Sequence, residues 1–221
     1  MIERKAEPEL MYLPHEVEAY AHADFSAVNQ AFVQRLMDLF PTETALDAVD
    51  LGTGPGDIPI RLAHLRSNWR ILAVDASAPM LEVARKAASI SGLRSRIVFL
   101  LSDAKTLALE DASYDLIFSN SLLHHVASPP QLWSEVRRIG RPGATVFFRD
   151  LYRPESDARA RQIVETHAGS ESSMLKEEFY RSLLSAFSVD EVRAQLCLAG
   201  LENFSVEASS DRHLDILGRL D

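Results

Sequence analysis

Three glycines at alternate positions, Gly52, Gly54 and Gly56, follow an acidic residue, Asp50, and precede another, Asp57. The stretch before them, 45–51, is apolar and strand-like. The stretch after them places Ile58, Ile60, Leu62, Ala63 and Leu65 in a helical pattern. A strand that breaks into glycines just before a helix lets bare backbone approach a ligand. The free amides at the helix start favour polar or anionic groups. The spacing narrows the ligand. The dinucleotide fingerprint needs a third glycine where Asp57 stands, and an acidic side chain there would repel a pyrophosphate. No G-x-x-x-x-G-K-[ST] run occurs, so the phosphate cradle of an ATPase is absent. A ligand whose facing part carries an ammonium and a carboxylate is compatible.

Further polar residues fall at the ends of later strand patterns. Asp75 follows 70–74, and an acid there can accept both hydroxyls of a ribose. Asp103 follows 97–101, Asn120 follows 114–119, and Asp150 ends 144–150. Ligands of an open α/β sheet bind outside the carboxyl ends of its strands, so these residues should gather at one edge. Each alone also reads as a helix cap or turn residue; Asp50, Asp75, Asp103 and Asn120, four at matching ends, are harder to dismiss. His124 and His125 stand near the same edge, and imidazole titrates near neutral pH. His124 is the candidate for acceptor contact or base, against a reading in which the pair packs the loop after strand four. Neighbours in sequence rarely converge on one ion, so no metal site is expected. Asp150, Tyr152 and Arg153 are expected to face a polar acceptor, with Asp150 a second candidate base. Arg149 should point to the opposite sheet face if the strand alternates strictly.

Strands alternate with helical patterns at 57–65, 79–89 and near 131–139, which predicts a parallel sheet with crossover helices. Strand five is expected over 144–150, after the turn Arg141-Pro142-Gly143. The alternation then stops: 152–187 reads as two helices, 155–167 and 175–187. Ser188 is a candidate N-cap for 189–198, with Asp190 and Glu191 in the first turn and Gly200 beyond the end. Two last strands, 203–208 and 213–217, flank Ser209-Ser210-Asp211-Arg212. Upstream, 17–39 carries Phe25, Val28, Phe32, Leu36 and Leu39 at roughly helical spacing, ended by Pro41.

The 221 residues suit a single α/β domain over 1–221. A net charge of −9 disfavours nucleic acid and anionic membranes, where phosphate neutralisation would have to drive binding. The single cysteine, Cys197, excludes an internal disulfide and lies in an apolar helical run, so it is expected to be buried. No apolar run of about 18 residues and no signal peptide are seen, which points to a cytoplasmic protein without stable membrane insertion.

Several motifs carry a family resemblance. Asp50-Leu51-Gly52-Thr53-Gly54-Pro55-Gly56 resembles the first motif, D/E-x-G-x-G-x-G, of class I S-adenosylmethionine-dependent methyltransferases. Asp75-Ala76-Ser77-Ala78-Pro79-Met80-Leu81 is similar to that family's Asp-x-Ser-x-x-Met-Leu run. Leu123-His124-His125-Val126 and Arg138-Ile139-Gly140-Arg141-Pro142-Gly143-Ala144 resemble signatures of the subgroup containing the ubiquinone and menaquinone C-methyltransferases. Gly140 and Ala144 depart from the pattern. The resemblance covers about 45–150.

It implies a Rossmann-like α/β fold: a seven-stranded, mostly parallel sheet of order 3-2-1-4-5-7-6, the last strand antiparallel, with helices on both faces. Residues 1–40 would form a helical lid, and 152–187 an insertion after strand five. It implies S-adenosyl-L-methionine as cofactor, with S-adenosyl-L-homocysteine as product. The implied cofactor-binding set is Asp50, Gly52, Thr53, Gly54, Gly56, Asp75, Ala76, Met80, Asp103, Ala104 and Asn120, with Tyr20 from the lid. Within it, Asp50 orients the glycine loop and the methionine ammonium, Asp75 takes the ribose, and Asp103 the adenine amino group. His124 and Asp150 are the catalytic candidates. The asparagine-proline-proline-aromatic motif of nucleic-acid amino-methyltransferases is absent after strand four, which favours a small-molecule acceptor; a homodimer is left open. Phe25, Phe179 and Phe187 would suit an aromatic or isoprenoid acceptor, or ordinary packing. Two other readings stand beside this one: a dinucleotide-binding oxidoreductase, and a protein that binds S-adenosylmethionine without catalysis.

Overall fold

The computed structural model describes residues 2–8, 17, 20 and 23–221. Tyr12, His15 and His22 of the expected lid lie outside the described residues. Seven strands, β1 (Asp47–Leu51), β2 (Arg70–Asp75), β3 (Ile97–Leu101), β4 (Tyr114–Asn120), β5 (Gly140–Leu151), β6 (Ser205–Ala208) and β7 (His213–Arg219), form one sheet. Its order is 3-2-1-4-5-7-6. Strands β1 to β5 pair in parallel, and β7 runs antiparallel to both β5 and β6.

The central strands are apolar on both faces because helices cover both. On one face Phe118 and Phe147 pack with Phe32 and Leu36 of α1 (Ser26–Leu39) and Leu62 of α2 (Asp57–Leu65). On the other, Ile117, Val146 and Phe148 pack with Trp133 and Val136 of α4 (Pro129–Ile139) and Val192 of α7 (Val189–Leu198). Helix α3 (Ala78–Ile90) follows β2. Helices α5 (Asp157–Ala168) and α6 (Ser173–Ser185) form the insertion after β5 and share a small core with Leu151. Serines set the starts of four helices. Ser77, Ser156 and Ser172 accept from the amides of Met80, Arg159 and Leu175, and Ser188 forms a reciprocal capping box with Glu191.

Three local expectations are corrected. The Arg141-Pro142-Gly143 turn is absorbed into β5, which starts at Gly140; its pairing to β4 shifts register between Tyr114 and Leu116, as at a bulge. Gly140, one of the two motif departures, has no room for a side chain, since a Cβ there would lie 2.2 Å from Leu220 Cδ1. Cys197 is exposed, not buried: the inward stripe of α7 is Val192 and Leu196, and the apolar run continues past it onto the solvent side. Helix α1 begins at Ser26, where Asp24 accepts the Ser26 amide at 2.9 Å, instead of running on from 17. Among the described residues, no helix is long and apolar enough to cross a membrane.

Candidate functional site

The glycine loop is held by what lies beneath it. The amides of Gly52 and Thr53 both donate to the Val74 carbonyl at 2.9 Å, which carries the loop across the end of β2. The Gly54 amide donates to Asp75 Oδ2 at 2.7 Å, and the Ser77 amide to Asp75 Oδ1 at 2.8 Å. Asp75 therefore anchors the cradle and starts α3, besides facing the cavity. Burial raises its pKa, and these amides oppose the shift. Gly56 adopts φ 81°, and a Cβ on it would meet Ala84 Cβ at 2.8 Å. Its role is close packing of α2 on α3; it does not line the cavity, contrary to the cofactor-contact expectation.

Asp50 is the anomaly of the cradle. Its carboxylate is 2% exposed, and both its Oδ2 and the Thr53 Oγ1 are buried without a hydrogen-bond partner. Burial pushes the Asp50 pKa up to about 7, and the charge of Asp75 adds to the rise. The Thr53 hydroxyl nearby pulls the other way without reaching hydrogen-bond alignment. Two orphaned acceptors side by side are costly unless a ligand completes them. An ammonium does so, which fits the methionine end of S-adenosylmethionine.

A cavity of about 890 Å³ opens over the carboxyl ends of the strands. Asp50, Gly52, Thr53, Gly54, Asp75, Ala76, Met80, Asp103, Ala104, Asn120 and Tyr20 line it, so the expected set converges with Gly56 the exception. Asp103 accepts the Lys105 amide at 2.8 Å, and Lys105 Nζ lies 3.1 Å from its Oδ2. Tyr20 stacks near Phe25 with centroids 4.8 Å apart. Its phenol is pushed up to about 12, first by burial and then by the charges of Asp75, Asp150 and Glu178. Asp57 also borders the cavity, already paired with Asn29 at 2.9 Å and Arg61 at 2.7 Å.

The histidines sit on a short 3-10 turn, Leu123–His125. Asp150 clamps it twice: Oδ2 accepts the Leu123 amide and Oδ1 lies against His124 Nδ1, both at 2.6 Å. The His124 carbonyl accepts from Ser185 Oγ at 3.0 Å and from Arg4 at 3.1 Å. Burial works to lower the His124 pKa, but Asp150 and then Glu7 outweigh it, and the net shift is upward. His125 is held well below its ordinary range by burial and by His124. His124 is in the cavity wall; Asp150 is not, and lies behind the imidazole.

One other expectation fails here. Arg153 is buried, bonded to the Ala186 carbonyl at 2.9 Å and to Glu191 at 2.6 Å, while Tyr152 donates to the Asp211 carbonyl; neither lines the cavity. Adjacent histidines do converge: Glu7 Oε1 lies 3.6 Å from His124 Nε2 and 3.1 Å from His125 Nδ1. Nothing in the sequence pattern pointed to Glu7. Arg149 points as strict alternation requires, toward Phe147 and Phe32, and pairs bidentately with Asp215 at 2.6 and 2.7 Å. The remaining wall comes from α1, the insertion and the strand ends, including Val28, Leu122, Leu151, Ala168, Leu175 and Phe179. Phe25 and Phe179 line the cavity, whereas Phe187 belongs to the core.

This is the Rossmann-like fold of the class I methyltransferases. Residues 49–148 match the family described as the methyltransferase domain, a match that implies S-adenosylmethionine as the cofactor. It is 29% identical over 177 residues to 27-O-demethylrifamycin SV methyltransferase of Amycolatopsis mediterranei, covering 78% of this chain and 60% of that protein. It is 33% identical over 107 residues to demethylmenaquinone methyltransferase of Roseiflexus castenholzii, covering 48% and 43% respectively. The chain thus spans less than two thirds of the length of these curated relatives. A SAM-dependent methyltransferase from Aquifex aeolicus shares the fold, with a TM-score of 0.70, 18% identity, and coverage of 96% of this chain and 100% of that one.

Asp75→Ala is expected to weaken S-adenosylmethionine binding by about tenfold or more. It would remove the acceptors that the resemblance assigns to the ribose, worth on the order of 1 kcal/mol each, and it frees the Gly54 amide from its anchor. Calorimetric titration checks this; an unchanged Kd with an intact melt would remove Asp75 from the ribose site.

Proposed function

We propose that the protein methylates a small-molecule acceptor whose reacting atom must lose a proton, with His124 as the base. The observation that carries this reading is the 2.6 Å contact between His124 Nδ1 and Asp150 Oδ1 in the wall of the cofactor cavity. Asp150, an acceptor, directs the Nδ1 proton to itself and leaves Nε2 with its lone pair. This is the arrangement a general base needs. S-adenosylmethionine, when bound, supplies an electrophilic methyl group on a sulfonium whose sulfur leaves as a neutral thioether. As the acceptor took that methyl group, its proton would go to Nε2 of His124. Asp50 and Thr53 fix the donor's ammonium, Asp75 its ribose, and Asp103 and Met80 the adenine end. Alignment of the three reacting atoms then does much of the work.

A hydroxyl, a phenol or an acidic carbon meets this requirement. Leu122, Ala168, Leu175 and Phe179 offer apolar surface to a ring beside the reacting group. The small-molecule methyltransferases among the relatives support a small acceptor. The test is methyl transfer from radiolabelled S-adenosylmethionine to matched panels of phenols, aliphatic alcohols and amines. Incorporation into phenols or alcohols, dependent on His124, is expected. Transfer to amines alone, at the same rate in His124→Asn, would overturn the base assignment.

A further inference from the structure

We propose that Glu7 is a positioning residue for this reaction: residues 2–8 form a strap that sets its carboxylate against His124 on the side opposite Asp150, so that two carboxylates hold the imidazole. This rests on the reading of His124 as the base. The geometry draws on three separate parts of the chain. Asp150 of β5 lies 2.6 Å from Nδ1, and Glu7 Oε1 lies 3.6 Å from Nε2. From α6, Ser182 Oγ donates to the same Glu7 oxygen at 3.1 Å, and Ser185 Oγ, whose proton goes to the His124 carbonyl, lies 3.3 Å from it. His125 Nδ1, without hydrogen-bond alignment, faces that oxygen at 3.1 Å.

The strap is pinned just ahead of Glu7. Arg4 donates to the carbonyls of Ser185, His124 and Val126 at 2.5, 3.1 and 3.3 Å, and its guanidinium stacks 3.8 Å from the Phe187 ring centroid. The Lys5 amide donates to the Leu184 carbonyl at 3.0 Å. These bonds fix the carboxylate's position, which an exposed surface glutamate would lack.

The charges around His124 decide the sign. Asp150 and Glu7 favour the imidazolium; Arg4 on the strap opposes it, and His125 beside it stays neutral because burial lowers its pKa. Beyond Asp150 stand Tyr20 and His213, both of which feel its charge. Removing the Glu7 charge therefore makes His124 a weaker base that loses its proton at lower pH. Glu7 accordingly stabilises the imidazolium formed when the acceptor's proton arrives.

The experiment compares the parent chain, Glu7→Gln and Glu7→Asp by NMR titration of the His124 imidazole without acceptor, alongside pH profiles of kcat. Glu7→Gln should move the His124 midpoint down by about one pH unit, as expected for loss of an opposite charge at this range. The rising limb of kcat should move with it, and Glu7→Asp should recover part of both. S-adenosylmethionine affinity and the melting temperature should stay near the parent values, which reports an intact fold. An unmoved midpoint, with kcat reduced equally at every pH, would overturn the assignment. So would a stoichiometric bound metal with chelator-sensitive turnover. A midpoint that moves while His124→Asn retains full turnover would instead remove the base reading and leave the Glu7 contact standing.

Discussion

Asp50→Asn should bind S-adenosylmethionine about 10- to 100-fold more weakly than the parent chain near pH 8, yet melt at a higher temperature without cofactor. Both effects come from one orphaned oxygen. Asp50 Oδ2 is buried without a partner, and burial pushes the carboxyl from 3.8 to about 7. A hydrogen bond to a charged group contributes about 1.5–3 kcal/mol, which is the affinity the ammonium would lose to a neutral amide. The stability effect has the opposite sign. A pKa raised on folding gives stability that is fully present below the unfolded value and is lost as pH rises through the folded one. The penalty on the parent therefore accumulates between pH 3.8 and about 7. Asparagine does not titrate, so its advantage in the melt should be largest above neutrality and vanish near pH 4.

Cofactor binding inherits the same titration. A cation beside Asp50 favours its ionised form, so binding should release a proton and tighten as pH rises through about 7. Each pH unit below that weakens affinity by up to about tenfold. Calorimetry in buffers of different ionisation enthalpy reads the proton count directly. A parent Kd that is flat from acid to neutral pH, with no proton release, would show that Asp50 does not meet the ammonium.

His124→Asn should lower kcat by about 10²- to 10⁴-fold, the usual contribution of a positioned general base, with Kd for S-adenosylmethionine within about twofold of the parent. Equal losses in both constants would indicate a structural role. Asp150→Asn should approach the same loss, because it removes the acceptor that directs the Nδ1 proton away from Nε2. Since the two carboxylates raise the His124 pKa above its ordinary 6.5, the parent's kcat should rise through a limb above that value. The sign for stability follows from the same shift: this group's contribution is complete below pH 6.5 and fades as pH climbs through the raised value. A pH-independent kcat across that range would sink the proton-transfer role.

The cradle was legible because its information is contiguous. Seven residues, Asp50 to Gly56, encode strand end, left-handed turns and helix start in sequence, since backbone geometry there depends on local residue type. The sheet was legible for a related reason: apolar runs of strand length alternating with helical periods leave few topologies open. Strand ends then gather at one edge by the geometry of a parallel sheet, which is why Asp75, Asp103 and Asn120 fall where expected. Boundaries were less legible. The Arg141-Pro142-Gly143 turn became part of β5 because pairing to β4 and β7 outweighed local turn preference.

The division of labour inside the site was a different matter. By itself the sequence determined a class I methyltransferase fold with a glycine-rich loop and acidic residues on strand ends, because periodicity and short motifs are local properties. Only tertiary structure decided that Asp150 stands behind His124, that Gly56 serves packing, that Arg153 belongs to the core, and that Glu7 reaches the histidines. Those facts depend on contacts between residues as far apart as Ser185 and Arg4, 181 positions along the chain. Such contacts are set by how helices pack on the sheet and by which buried polar atoms must find partners, and no local preference encodes either.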